Sequence, residues 1–185
     1  MLRALLHRMI TAQVERPWNY DAGYLHEMVD ASPWTAVKFT VLTTLVARRD
    51  APPAALAAAG IVGTLAEDCG PCTQISVDMA AKGGVPGPVL RAILAGDEAA
   101  MGEAAALAYR FARASLARDM AEADPLRDEI VRRWGEKGLV AIALSITSAR
   151  MYPTLKYALG HGKTCSKVVV AGEAAPFEKP VLLAA

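Results

Sequence analysis

Apolar residues recur at helical spacing along most of this 185-residue chain. Val37, Val41 and Leu45 follow Ser32 and Pro33, a pair that suits the N-cap and the first position of a helix. The spacing therefore predicts a helix that starts at residue 33 and reaches about residue 48. Glycine, proline and acidic capping residues bound further segments of this kind, which predict helices over 54–66, 73–82, 88–95, 98–120 and 124–137.

The segments after residue 120 carry the clearest end signals. Asp124 is placed to cap a helix that Pro125 starts and Gly138 ends, with basic residues in its last turns as the helix dipole favours. The following segment, 139–159, is apolar on nearly every side, which is typical of a helix buried in a core or by a second subunit. Arg150 interrupts this segment, so we expect its charge to be paired or to face a pocket or an interface.

Composition narrows the class of protein. Hydrophobic residues make up 54% of the chain, alanine is common and aromatic residues are few, a balance that favours closely packed helices. No strand–turn–strand pattern precedes residue 165, although Val168–Val170 could form a short strand or an arm. We predict an all-α fold with one helical domain over 1–160 and a C-terminal tail or arm over 161–185. The core of the domain, which contains the cysteine pair, is expected at about 33–160.

Charge and hydropathy exclude several functions. The net charge is +1 with both signs interspersed, so no basic stripe indicates nucleic-acid binding. Arg3 and His7 interrupt the first apolar stretch, which therefore lacks the core of a signal peptide. The longest uncharged run, 51–66, is too short for a bilayer, which needs about 20 apolar residues. The prediction is a cytoplasmic protein without a membrane partner.

Cys69-Gly70-Pro71-Cys72 is the motif with the clearest chemistry. The chain has only three cysteines, so this pair does not belong to a disulfide framework, and two thiols at this spacing can close and reopen a disulfide. Pro71 should end the preceding helix, so that the next helix starts at or just after the pair. A helix N-terminus lowers the pKa of a cysteine and favours the reactive thiolate, without deciding between Cys69 and Cys72.

The same four residues form the redox motif of thioredoxins, but their surroundings differ. In thioredoxins the motif follows a buried strand near the start of the domain. Here an alanine-rich helical segment and about seventy residues come first. A thioredoxin fold is therefore not the expectation.

A wider set of motifs resembles the alkylhydroperoxidase D-like, or carboxymuconolactone decarboxylase, family. The resemblance is carried, in order, by LAEDCGPCTQ at 65–74, GGV at 83–85, AILAGD at 92–97 and ALAY at 106–109, and spans about residues 33–160. It implies an all-helical homo-oligomer that reduces a hydroperoxide or disulfide substrate without an organic cofactor. It also implies that Cys72 is the nucleophile, that Cys69 is its resolving partner, and that an external dithiol regenerates the pair.

Two positions depart from the pattern of the peroxidase members. Ser76 stands where those members have a histidine, and Ala57 stands where they have a glutamate, so the usual proton relay is missing. Glu67 is the acid nearest to the pair, and Ser76 shares a helix face with Cys72 and could donate to a thiolate. The predicted catalytic residues are therefore Cys69, Cys72, Glu67 and Ser76. Glu67 and its neighbour Asp68 would also raise the pKa of a nearby thiol through their charge.

Two other functions stay open. Without the histidine and the glutamate, the chain could be a helical binding module or assembly that keeps the cysteine pair but catalyses no redox reaction. The set Cys69, Cys72, His161 and Cys165 also has enough nitrogen and sulfur ligands for a tetrahedral zinc site. The long gap between its two halves favours Cys165 as a spectator, so no metal is predicted.

Overall fold

A computed structural model describes residues 1–44, 49–162 and 167–179. Most of these residues are helical, as the spacing of apolar residues predicts. The elements are α1 (Leu2–Ile10), a π-helical segment (Thr11–Glu15), α2 (Arg16–Trp18), α3 (Gly23–Ala31), α4 (Pro33–Thr44), α5 (Pro53–Ala66), α6 (Gly70–Lys82), α7 (Gly87–Ala95), α8 (Glu98–Met101), α9 (Glu103–Ala117), α10 (Met120–Ala158), β1 (Val168–Val170) and β2 (Glu173–Ala175). No helix in the described ranges combines the length and the apolarity needed to cross a membrane.

Helix α5 lies at the centre of the fold and is buried along most of its length. Its small residues let α9 and α10 pack closely against it. At Gly63 a β-carbon would lie 2.9 Å from the carbonyl oxygen of Ile146 and 3.2 Å from Cβ of Ala149. A glycine is therefore required where α5 meets α10.

The buried apolar side chains form two clusters. The larger one is built from α5, α7, α9 and α10, with contributions from the C-terminal strands. The smaller one centres on Tyr20, Ala22, Tyr24 and Leu25, and side chains from α4, α6 and α10 pack against it. The N-terminal residues before position 33 thus cover one side of the helical core, and α6 lies between the two clusters.

Several predicted helix boundaries are wrong. Asp97 caps the short helix α8, because Gly102 interrupts the segment at a φ of 79°. Asp119, whose side chain accepts from the backbone N–H of Glu122 at 3.1 Å, caps α10, so the predicted cap at Asp124 lies inside that helix. The long helix also breaks at Gly135, where φ is 70° and ψ is 177°, rather than at Gly138.

The tail contains a two-stranded antiparallel hairpin in which Val168 pairs with Ala175. Gln74 of α6 fixes it, since its amide donates to the carbonyl of Val169 at 2.9 Å and accepts from the same residue's N–H at 2.8 Å. Arg91 of α7 donates to the carbonyl of Val170 at 2.8 Å. The Gln74 side chain thus pairs with β1 as the backbone of a further strand would.

Candidate functional site

The turn between α5 and α6 places the cysteine pair. Helix α5 ends at Ala66, and Asp68 takes a left-handed conformation with a φ of 50°. Cys69 is the N-cap of α6, and its sulfur accepts a hydrogen bond from the backbone N–H of Cys72 at 3.4 Å. The helix starts at Gly70, between the two cysteines and three residues before the predicted start, and the pair lies at its N-terminus as expected.

Cys69 and Cys72 are joined in a disulfide, with their Cα atoms 5.3 Å apart. Cys69 is fully buried, whereas Cys72 keeps 6% of its surface exposed. Cys72 is therefore the more accessible residue of the pair. Cys69 is the sulfur that the helix N-terminus stabilises, through the N–H of Cys72.

Cys72 faces a buried polar group that belongs to the N-terminal part of the chain. The hydroxyl of Tyr20 lies 3.9 Å from Sγ of Cys72, within hydrogen-bond reach for sulfur. On its other side, the ammonium of Lys156 donates to the Tyr20 oxygen at 3.2 Å. Tyr20 is 8% exposed and Lys156 is 1% exposed, so the sulfur, the hydroxyl and the ammonium form a series within the protein.

Aromatic rings surround the ammonium of Lys156. Its Nζ lies 4.5 Å from the ring centroid of Tyr20 and 5.5 Å from that of Tyr24, distances at which ring faces attract a cation. Burial raises the pKa of Tyr20 and that of Tyr24, because an anionic phenolate would lose its hydration. Both hydroxyls therefore stay protonated at neutral pH and are able to donate.

The acidic residues before the pair have cationic partners. Glu67 is bound by the guanidinium of Arg150 and accepts a hydrogen bond from the Thr154 hydroxyl at 3.3 Å. A carboxylate oxygen of Asp68 lies 2.6 Å from Nζ of Lys179. The expectation that Arg150 is paired is confirmed, and these cations compensate the two negative charges that would otherwise oppose a thiolate.

The other predicted site residue, Ser76, lies one helical turn after Cys72 and is half-buried. No hydrogen bond joins it to either cysteine among the side-chain contacts described. Further along α6, Asp78 accepts a hydrogen bond from Gln74 at 2.8 Å, and the Lys82 ammonium lies over the Trp18 ring. The structure thus brings Cys69 and Cys72 together, while Glu67 and Ser76 have no described bond to them.

The zinc alternative finds no support within the ranges that the structure describes, where no cluster of three or more His, Cys, Asp or Glu side chains is arranged for a metal. His161 is instead bonded to Glu27, with Nε2 2.8 Å from the carboxylate. Cys165, the fourth ligand of that alternative, lies outside the described residues.

Sequence reasoning missed Tyr20 and Lys156 as site residues. Tyr20 precedes the region that resembles the family, and it is 52 positions from Cys72. Lys156 gave one usable signal, because a lysine in a segment that is apolar on nearly every side must find polar or aromatic partners. Nothing in the local sequence pairs it with Tyr20, from which it is 136 positions away.

The fold and the site define a class: a helical protein with a Cys-Gly-Pro-Cys disulfide at the N-terminus of a packed helix. Searches against family models, curated proteins and solved structures match nothing to this chain.

Proposed function

We propose that the protein is a thiol–disulfide oxidoreductase or hydroperoxide reductase similar to the alkylhydroperoxidase D-like family. The observation that carries the proposal is the Cys69–Cys72 disulfide at the N-terminus of α6, in which Cys69 is fully buried and Cys72 is 6% exposed. A pair of this kind suits exchange chemistry, because a reagent attacks one sulfur while the protein holds the other as resolving group or leaving group.

In the peroxidase cycle Cys72 acts as nucleophile. Its thiolate attacks the terminal oxygen of a hydroperoxide, the O–O bond breaks, and the products are a sulfenic acid on Cys72 and an alcohol. The thiol of Cys69 then condenses with the sulfenic acid, releasing water and forming the disulfide. The short Cα separation lets this second step occur without a large change of the backbone.

An external dithiol completes the cycle. Its first sulfur attacks Cys72, the more accessible cysteine, and Cys69 leaves as a thiolate that the N–H of Cys72 stabilises at the helix N-terminus. Its second sulfur then attacks the mixed disulfide and releases Cys72. The dithiol ends as a disulfide, so two electrons pass from it to the hydroperoxide.

The resemblance also favours a cytoplasmic homo-oligomer. The exposed apolar side chains Trp34, Val41 and Leu42 of α4 support the assembly, since a second subunit would cover them.

The test is to treat the reduced protein with stoichiometric hydroperoxide, quench it with an alkylating agent, and map the thiols by mass spectrometry over time. We expect a rapid, complete Cys69–Cys72 disulfide that forms much faster than in a denatured control. Cys72→Ser should abolish consumption of hydroperoxide, whereas Cys69→Ser should leave a trapped sulfenic acid on Cys72. Cys165→Ser serves as the matched control and should behave as the parent protein.

Thiols that react no faster than in the denatured control would contradict the proposal. That result would favour the alternative in which the protein is a binding module whose cysteine pair catalyses no redox reaction. Turnover that survives Cys72→Ser would also contradict it.

A further inference from the structure

Cys72, Tyr20 and Lys156 form a polar series inside the protein, and they come from three distant parts of the chain. The hydroxyl of Tyr20 lies 3.9 Å from the sulfur, and the ammonium of Lys156 lies 3.2 Å from the hydroxyl oxygen. All three residues are buried or nearly so, which strengthens electrostatic interactions among them relative to water. The arrangement places a hydroxyl group, backed by a positive charge, next to the sulfur of Cys72.

We infer that Tyr20 is a catalytic residue that stabilises the Cys72 thiolate and delivers a proton to the departing oxygen, and that Lys156 is the positioning residue that polarises Tyr20. This inference rests on the proposed redox function of the pair. It assigns the acid–base work to a tyrosine and a lysine, in a chain where Ser76 and Ala57 replace the residues of the usual relay.

The redox state of Cys72 decides where the Tyr20 hydroxyl points. In the disulfide form its hydrogen has two acceptors, the Tyr24 oxygen at 3.5 Å and the Cys72 sulfur at 3.9 Å. Lys156 approaches the Tyr20 oxygen as a donor, so it does not compete for that hydrogen. A thiolate accepts more strongly than a neutral hydroxyl oxygen, so reduction turns the hydrogen toward Cys72.

The groups around Tyr20 keep its hydroxyl protonated. Burial raises the pKa of Tyr20, and the charges of Asp21 and Tyr152 act in the same direction, while the hydrogen bond with Tyr24 opposes them. A protonated phenol next to a thiolate is a donor rather than a base, as the first step requires. The negative charge in the reduced state then lies on Cys72, one hydroxyl away from the cation of Lys156.

The proton balance closes over one cycle. When the Cys72 thiolate breaks the O–O bond, the departing alkoxide takes the proton of Tyr20, Lys156 returns a proton to the Tyr20 oxygen, and Lys156 regains a proton from solvent. Condensation of the Cys69 thiol with the sulfenic acid releases water and needs no further proton. Reduction by the external dithiol then releases two protons, one to Cys69 and one to solvent, and leaves Cys72 as a thiolate.

The test measures the ionisation of Cys72 in the reduced full-length protein. Iodoacetamide alkylation is followed at Cys72 by mass spectrometry as a function of pH, in the parent protein and in Tyr20→Phe, Lys156→Met and Tyr24→Phe. We expect a parent midpoint below the ordinary thiol value of about 8.5. Tyr20→Phe and Lys156→Met should each raise it by about one unit or more, which corresponds to roughly a tenfold loss of thiolate at neutral pH.

Tyr24→Phe is the matched control, because it removes one hydroxyl from the same buried cluster without touching the sulfur. Its alkylation midpoint should stay within about 0.3 pH unit of the parent value, well below the shift of about one pH unit expected for Tyr20→Phe. Equal midpoints for Tyr20→Phe and Tyr24→Phe overturn the inference, and this comparison stands even if Lys156→Met does not fold. A second readout is the pH profile of hydroperoxide consumption. In Tyr20→Phe and Lys156→Met its acidic limb should shift to higher pH, as the alkylation midpoint does.

The two proposals fail in different ways. If the Cys72 midpoint depends on Tyr20 and Lys156 but hydroperoxide is not consumed, stabilisation of the thiolate by these residues stands, while the proposed peroxidase activity and proton delivery by Tyr20 are wrong. If hydroperoxide is consumed while the midpoint is unchanged in Tyr20→Phe, the activity stands and the assignment is wrong.

Discussion

Two carboxylates precede Cys69 in the chain, and cations from distant segments hold both of them. Glu67 is bound by Arg150 of α10, and Asp68 is bound by Lys179 near the C-terminus. Unpaired acids at these positions would raise the pKa of the neighbouring thiols and weaken the effect of the helix N-terminus. The ion pairs thus leave the helix end, Tyr20 and Lys156 as the main electrostatic influences on the cysteines.

The Glu67–Arg150 pair yields a test of the predicted catalytic role of Glu67. Because Arg150 and Thr154 hold the carboxylate, we expect Glu67→Gln to keep the rate of Cys69–Cys72 disulfide formation within about twofold. The free energy of unfolding should fall by about 1 kcal/mol, since the pair is partly exposed. Stopped-flow thiol oxidation and urea denaturation measure the two quantities.

Arg150→Met is the matched control for that experiment. The two variants and their combination form a double-mutant cycle that isolates the interaction between Glu67 and Arg150. A tenfold or larger loss of oxidation rate in Glu67→Gln, with no such loss in Arg150→Met, would show that the carboxylate acts on the cysteines directly.

Residue-level prediction from the sequence succeeds where the evidence is local. The helix N-terminus at the cysteines follows from Pro71 and from the apolar spacing on both sides, and the need for a partner at Arg150 follows from its apolar surroundings. Tyr20 and Lys156 escape prediction because only tertiary packing brings them to Cys72. The partners of Glu67 and Asp68 escape for the same reason, since ion pairs depend on which surfaces meet.

At the level of elements, α5 determines how closely the helices around the cysteines approach. Its alanines and glycines remove side-chain bulk on every side, so α9 and α10 pack against it and α6 follows it after a short turn. The alanine-rich composition predicts such packing but does not identify the position that requires a glycine. The contact between Gly63 and the backbone of α10 identifies it.

The two glycines of α5 make a matched pair for testing this packing. In Gly63→Ala the new methyl group meets the Ile146 carbonyl, so we expect a net loss of about 1–2 kcal/mol in the free energy of unfolding. At Gly60 a β-carbon would have no atom within 4 Å, and Gly60→Ala should gain up to about 1 kcal/mol from helix propensity. Urea denaturation of both variants measures the difference, and equal stabilities would contradict the close approach.

Helix boundaries are harder to predict than helices because capping signals compete. Asp119 and Asp124 both precede segments with helical spacing, and the sequence favours Asp124 because Pro125 follows it. The structure uses Asp119, and the helix continues through Pro125. The glycine that interrupts α10 is hard to place for a similar reason, because Gly135 and Gly138 both follow the same amphipathic run.

At the level of the whole molecule, the disulfide contributes little to holding the fold together. It joins residues three positions apart, so it closes a very short loop and restricts the unfolded chain only slightly. The larger apolar cluster is built from α5, α7, α9 and α10. The two clusters therefore stabilise the fold more than the sulfur–sulfur bond does.

Reduction should accordingly leave the molecule folded. From the loop length we expect a loss of about 2 kcal/mol, which lowers the unfolding midpoint by roughly 4–8 °C in a chain of this size. Differential scanning calorimetry and circular dichroism with and without reductant measure the change. Loss of helicity on reduction, at temperatures where the oxidised protein is folded, would assign the disulfide a structural role instead.

Because the cysteine pair lies at the N-terminus of α6, its redox state is coupled to the docking of the C-terminal hairpin. The thiolate of reduced Cys72 places a negative charge in the first turn of α6 and stabilises that helix, and Gln74 of the same helix holds the hairpin. Coupling of this kind is reciprocal, so docking of the hairpin raises the reduction potential of the pair by the coupling free energy. The docked hairpin thereby favours the reduced form of the pair, and it does so through Gln74 rather than through a described hydrogen bond to either sulfur.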